Sequence, residues 1–101
     1  MPEYVYLIHP LRDAYFDHPT VHEEQVMEEH FAYLKGATER ETVLLAGPCL
    51  DETFDIVVIT VENDKAARDF MLNDPAVMGN VMMAELHPME ISFSCLKDRK
   101  C

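Results

Sequence analysis

Cationic side chains are scarce in this chain: eight Lys and Arg stand against nineteen Asp and Glu, for a formal charge of -11. Nucleic-acid affinity rests on clustered Lys and Arg, so a phosphate-tracking surface is excluded and an anionic membrane is a poor partner. Long apolar runs are also missing. The longest span a handful of residues, far short of the ~20 needed to cross a bilayer, and no charged n-region, apolar h-region and cleavage site opens the sequence. Cysteine is sparse and odd in number, with Cys49, Cys95 and Cys101 lacking C-x-x-C spacing. A disulfide framework is not expected, and a reducing cytoplasm is the expected compartment.

The 101 residues, 49% of them hydrophobic, suit one compact domain, expected over residues 1–96 with a basic, frayed tail at 97–101. Tyr4-Val5-Tyr6-Leu7-Ile8 is β-branched, aromatic and stopped by His9-Pro10, which predicts a covered first strand. A loop from Leu11 to Pro19 follows, longer than the usual ~4–6 residue connection. Thr20-Val21-His22-Glu23 forms a capping box, so a helix is expected from Val21. Val26, Met27, His30, Leu34 and Ala37 then make one stripe at helical spacing, with Glu23, Glu24, Glu28 and Glu29 read as a solvated face.

Thr42 to Ala46 reads as a second strand, Gly47 to Glu52 as a turn, and Phe54 to Val61 as a third strand. Asn63 or Asp64 caps a second helix with Ala66, Ala67, Phe70 and Met71 on one face. Pro75 stops that helix at Asp74. A last strand is expected from Val81 to Cys95, where Met89, Ile91, Phe93 and Cys95 alternate with Glu90, Ser92 and Ser94. The order βαββαβ is the ferredoxin-like arrangement, an α+β fold with an antiparallel sheet and two helices on one face. Strands apolar on both faces, Val57, Ile59 and Val61 against Ile56 and Val58, leave the other sheet face in need of cover. A homodimer packed sheet to sheet is the expected solution.

Two residues carry the chemistry. His30 lies mid-stripe on the first helix and Asp74 ends the second, each a titratable group among apolar neighbours, where it needs a partner. Asp74 at a helix C-terminus also faces the negative end of the dipole, which calls for a cation. Brought together, the two would form an imidazole oriented by a carboxylate and able to move a proton near neutral pH. Arg12, His9 and His87 are candidates for substrate contacts at the pocket mouth. His18 and His22 are separated by Pro19 and share no helical face, so no metal site is expected, and no motif calls for an organic cofactor. Cys49 has no basic neighbours to activate it as a nucleophile.

Five short stretches in order complete the reading: His30-Phe31-Ala32-Tyr33-Leu34, Leu44-Leu45-Ala46-Gly47-Pro48, Ala66-Ala67-Arg68, Asn73-Asp74-Pro75-Ala76-Val77 with Gly79, and Ala84-Glu85-Leu86-His87-Pro88. Spread over nearly the whole chain, they resemble the YCII-related family of the dimeric α/β-barrel superfamily. The resemblance implies a ferredoxin-like dimer and a catalytic histidine and aspartate, which carry over to His30 and Asp74. It departs at Glu41 or its neighbours, where the family commonly has glycine just before the second strand, and at Thr53-Phe54-Asp55, where a glycine is often found before the third. The expected activity is a cofactor-free proton abstraction, isomerisation or elimination on a small cyclic or aromatic metabolite. The alternatives are a non-catalytic small-molecule-binding protein and a cofactor-free oxygenase on the same fold.

Overall fold

The computed structural model describes residues 1–95; the expected tail lies outside the described residues. Strands β1 (Glu3–Pro10), β2 (Val43–Pro48), β3 (Asp55–Thr60) and β4 (Met82–Met89) form an antiparallel sheet in the order β2-β3-β1-β4. Helices α1 (Val21–Glu39), α2 (Asp64–Leu72) and the short α3 (Pro75–Met78) complete a ferredoxin-like α+β unit.

The pleat of β1 sorts the two sheet faces. Tyr4, Tyr6 and Ile8 are buried beneath the helices, while Val5, Leu7 and His9 turn to the other side. Register carries this sorting to the neighbours: Tyr6 faces Val57 and Leu86, and Leu7 faces Ile56 and Glu85. The core therefore lies between Tyr4, Tyr6, Ile8, Val57 and Ile59 of the sheet and Val26, Met27, Leu34 and Ala37 of α1, with Ala67 and Met71 of α2. Tyrosine hydroxyls tie α2 down: Tyr4 donates to Asp64 Oδ1 at 2.8 Å, and Tyr33 of α1 donates to the Phe70 carbonyl at 2.7 Å.

The capping box at Thr20 forms as its sequence dictates, with the Glu23 amide donating to the Thr20 hydroxyl and the Thr20 amide donating to the Glu23 carboxylate. The last strand is shorter than expected. It ends at Met89, opposite Glu3, because β1 begins there; among the described residues Ile91, Phe93 and Cys95 have no strand to register against. The second strand extends to Pro48 because the hairpin ladder continues to Pro48 opposite Asp55, after a bulge between Val43 and Leu45.

Glu41 adopts a φ of 64°, a left-handed backbone that costs an L-residue and suits glycine. That is the physical reason for a glycine in this turn. Glu41→Gly is expected to raise unfolding stability by roughly 0.5–1 kcal/mol, the relief of αL strain minus the added chain entropy of glycine. Urea titration checks it, and a loss of stability contradicts it.

Candidate active site

His30 and Asp74 meet under the helices. The His30 Nδ1 lies 2.6 Å from Asp74 Oδ1, and both side chains are essentially removed from solvent, at 1% and 0% exposure. Asp74 is not the helix end that its sequence suggests. Helix α2 stops at Leu72 with Asn73 as its C-cap, and Asp74 is the N-cap of α3, with φ -63° and ψ 125°. Pro75 sets this up, because proline disfavours a helical conformation in the residue before it and is itself preorganised for the first helical position. The Asp74 carboxylate therefore faces the positive end of a helical turn, opposite to the expected dipole sense.

Three donors converge on this carboxylate. Tyr6 donates its hydroxyl to Oδ2 at 2.7 Å, the Ala76 amide donates to Oδ1 at 2.9 Å, and His30 completes the set through Nδ1. The Tyr6 hydroxyl and the Ala76 amide can only be donors to Asp74 in this arrangement, and an ionised carboxylate can only accept. With Asp74 ionised, the proton in the short contact belongs to His30 Nδ1. Burial first, and the neighbouring Asp74 charge second, push the Tyr6 phenol far above its ordinary range, so it remains a donor. In the neutral ring the remaining nitrogen, Nε2, carries a lone pair. It is buried and has no hydrogen-bond partner among the described residues.

Helix α3 is pressed close to α1 to bring this about. A Cβ on Gly79 would stand 2.9 Å from the Pro75 carbonyl oxygen and 3.0 Å from both methyls of Val26. Only a residue without a side chain fits between the turn that carries Asp74 and the helix that carries His30.

The other expected site residues are elsewhere. His9 and His87 lie on the opposite sheet face: His9 pairs with Met83, packs edge-on against Phe54 at 6.1 Å, and His87 Nε2 contacts Glu85 at 2.7 Å. Strand alternation puts both across the sheet from His30, which corrects their expected place at its mouth. Arg12 is engaged by Glu23, with Nε to Oε2 at 2.9 Å and Nη2 to Oε1 at 2.6 Å, and it also donates to the His18 carbonyl. It fastens the 11–19 loop to the start of α1. Glu23, expected on the solvated face, is instead 7% exposed and paired.

The Arg12 guanidinium, followed by the Thr20 amide, holds the Glu23 carboxyl down to about 2 from its ordinary 4.5. A depressed carboxyl contributes stability above its unfolded value and loses it as pH falls through the folded one. The loop clamp should thus be intact above pH ~4.5 and fail towards pH ~2. Amide exchange checks this at Tyr15 and His18, whose amides donate within the loop to Arg12 and Ala14. Their protection factors are expected to drop over that window in the parent and to be already low in Arg12→Ala.

A groove of about 340 Å³ runs between the loop and α1, lined by Tyr15, Phe16, Met27 and Phe31 with Glu24 and Glu28. Neither His30 nor Asp74 lines it. Tyr6 is a site residue that the sequence does not single out, and Asp55 shares the helix-covered face of the sheet. Tyr6 was hidden in a run apolar on both faces. Asp55 was legible as the residue two before Val57 and four before Ile59 on one face of β3.

No family model and no curated protein matches this chain. Among solved structures it is similar to 5-chloro-2-hydroxyhydroquinone dehydrochlorinase, TftG, from Burkholderia phenoliruptrix AC1100, determined in complex with 2,5-dihydroxybenzoquinone. The two share the fold. The TM-score is 0.64 over 86% of this chain and 93% of TftG, at 15% sequence identity. At that identity the likeness concerns architecture, and the chemistry has to be argued from the side chains.

Proposed function

We propose that this chain is a YCII-like, cofactor-free enzyme in which His30 and Asp74 act as a general acid/base pair on a small cyclic or aromatic metabolite. The observation that carries this reading is the buried Nε2 of His30, which lacks a partner among the described residues while Nδ1 is held by a carboxylate with three donors. A buried polar atom left unpaired costs about 1–3 kcal/mol, and a fold that bears such a cost at a polarised base is arranged for a ligand atom. Nε2 takes a proton from substrate carbon or oxygen, Asp74 stabilises the imidazolium, and the electron pair released either shifts within the ring or expels a leaving group. Proton abstraction, isomerisation and elimination all fit. The name of TftG, a dehydrochlorinase, supports elimination as a member of that set.

Turnover of a panel of halogenated and hydroxylated ring compounds tests the proposal, by release of halide and by exchange of ring hydrogen for deuterium. Activity in the parent that disappears in His30→Gln supports it; the same activity in both proteins contradicts it. A second reading, a binding protein with a structural pair, is favoured by the 1% exposure of His30, which leaves the base no open path to solvent. That reading predicts ligand binding with neither exchange nor halide release.

The site is proposed to work in a homodimer. On the helix-free sheet face Leu45, Met83 and Met89 are exposed, with Val5, Leu7 and Ile56 half-buried between them. An apolar sheet face of this kind asks for a second layer. Sedimentation velocity at micromolar concentration is expected to give a dimer, and Leu45→Glu, an exposed position whose change spares the core, a monomer. A monomeric parent contradicts the proposal.

A further inference from the structure

Asp55 opens β3 directly opposite Ile8, on the face where Tyr6, Val57 and Ile59 lie under α1. Strand alternation therefore directs its side chain towards the layer that holds His30. Asp55 is half-buried, and among the described residues no side-chain hydrogen bond or ion pair satisfies it. A carboxylate half withdrawn from water without a protein donor is disfavoured, and the buried Nε2 on the same side of the sheet has no partner among the described residues. Two unsatisfied acceptors in one layer mark the two ends of a ligand that donates twice.

Resting on the acid/base reading of His30, we propose that Asp55 is a substrate-binding residue of the same site, accepting a hydrogen bond from a ring hydroxyl while a second polar atom of that ring meets His30 Nε2. The substrate class is a neutral ring with at least two hydroxyl groups. Electrostatics agree. Burial, and after it the charge of Asp74, raise the Asp55 carboxyl above its ordinary value, against the lowering influence of His30. The ring of Tyr15, packed on the core from the 11–19 loop, in turn feels Asp55. Arg12, a cation that would have welcomed an anionic ligand, is taken by Glu23, so carboxylate and phosphate substrates would meet the Asp55 charge without that guanidinium to offset it.

Catechol, resorcinol and hydroquinone, compared with phenol and benzoate, test this in titrations followed by the NMR signals of the His30 ring and the Asp55 carboxyl carbon. At least one diol is expected to bind about tenfold or more tightly than phenol, since a hydrogen bond to a charged acceptor is involved. It should move both sets of signals, and Asp55→Asn should reduce the advantage over phenol to about twofold or less. Benzoate should bind more weakly than phenol. If ring compounds move the His30 signals but no diol gains over phenol, or the gain survives in Asp55→Asn, the role of Asp55 is overturned and the acid/base reading stands. If none of the five compounds moves the His30 signals, both fall. Should Asp55→Asn not fold, the Asp55 carboxyl shift in the parent decides: an unmoved signal at diol saturation overturns the assignment.

Discussion

Asp74→Ala is expected to lose about 3–5 kcal/mol of unfolding free energy, the magnitude for removing one member of a buried charged network. The substitution strands three donors at once: the Tyr6 hydroxyl, the Ala76 amide and the His30 Nδ1–H. None can reach water, because Tyr6, His30 and Ala76 are all buried. It also removes the N-cap of α3, and with it the reason for the chain to turn sharply at Pro75. A domain of this size has roughly 5–15 kcal/mol in total, so the variant should stand near the edge of folding. Each kcal/mol moves Tm by roughly 4–8 °C at this length, which puts the expected fall at about 12 °C or more. Asp74→Asn retains acceptor oxygen for part of the set but brings an amide into a place built for donors, and should lose less. Urea titrations of the two variants check the order; a cost under about 1 kcal/mol for Asp74→Ala would mean that the network relaxes and is not the anchor of the fold's centre.

His30→Gln is expected to cost two to four orders of magnitude in turnover of any substrate on which the parent acts, the usual worth of a positioned acid or base, roughly 10²–10⁴. Stability should change much less. Glutamine can still offer an amide N–H to Asp74, and it removes an imidazole whose Nε2 is buried without a partner. A side chain that is dispensable for folding and indispensable for turnover belongs to the chemistry. The binding-protein reading predicts the reverse, with no turnover to lose and lost packing as the dominant effect. Single-turnover kinetics and thermal unfolding of the same preparation separate the two outcomes.

Much of this arrangement was legible in the sequence, where local rules and burial agree. The stripe Val26, Met27, His30, Leu34 and Ala37 is buried as its spacing requires, and the capping box begins α1 where it should. Asp74 was legible as a residue out of helical conformation before Pro75, yet not as the start of a new helix. A proline after a helix reads as a stop unless its own helical preference is weighed. Tyr6 was illegible because Tyr4 to Ile8 is apolar without alternation, so no periodicity told one face from the other. His9, His87 and Arg12 show a different limit. Single polar residues at strand ends and in loops have no repeating neighbours to give them a direction, and only the pleat of β1 and β4, or the reach of Arg12 to Glu23, places them.

The central claim is that His30 carries its proton on Nδ1, held by an ionised Asp74, with Nε2 left as a free base. Long-range ¹H–¹⁵N correlation of the His30 ring tests it directly, since protonated and unprotonated ring nitrogens resonate far apart. In the neutral ring the account predicts the Nδ1–H tautomer in the parent and a loss of that preference in Asp74→Asn. An Nε2–H tautomer in the parent, or a tautomer indifferent to Asp74, would contradict it.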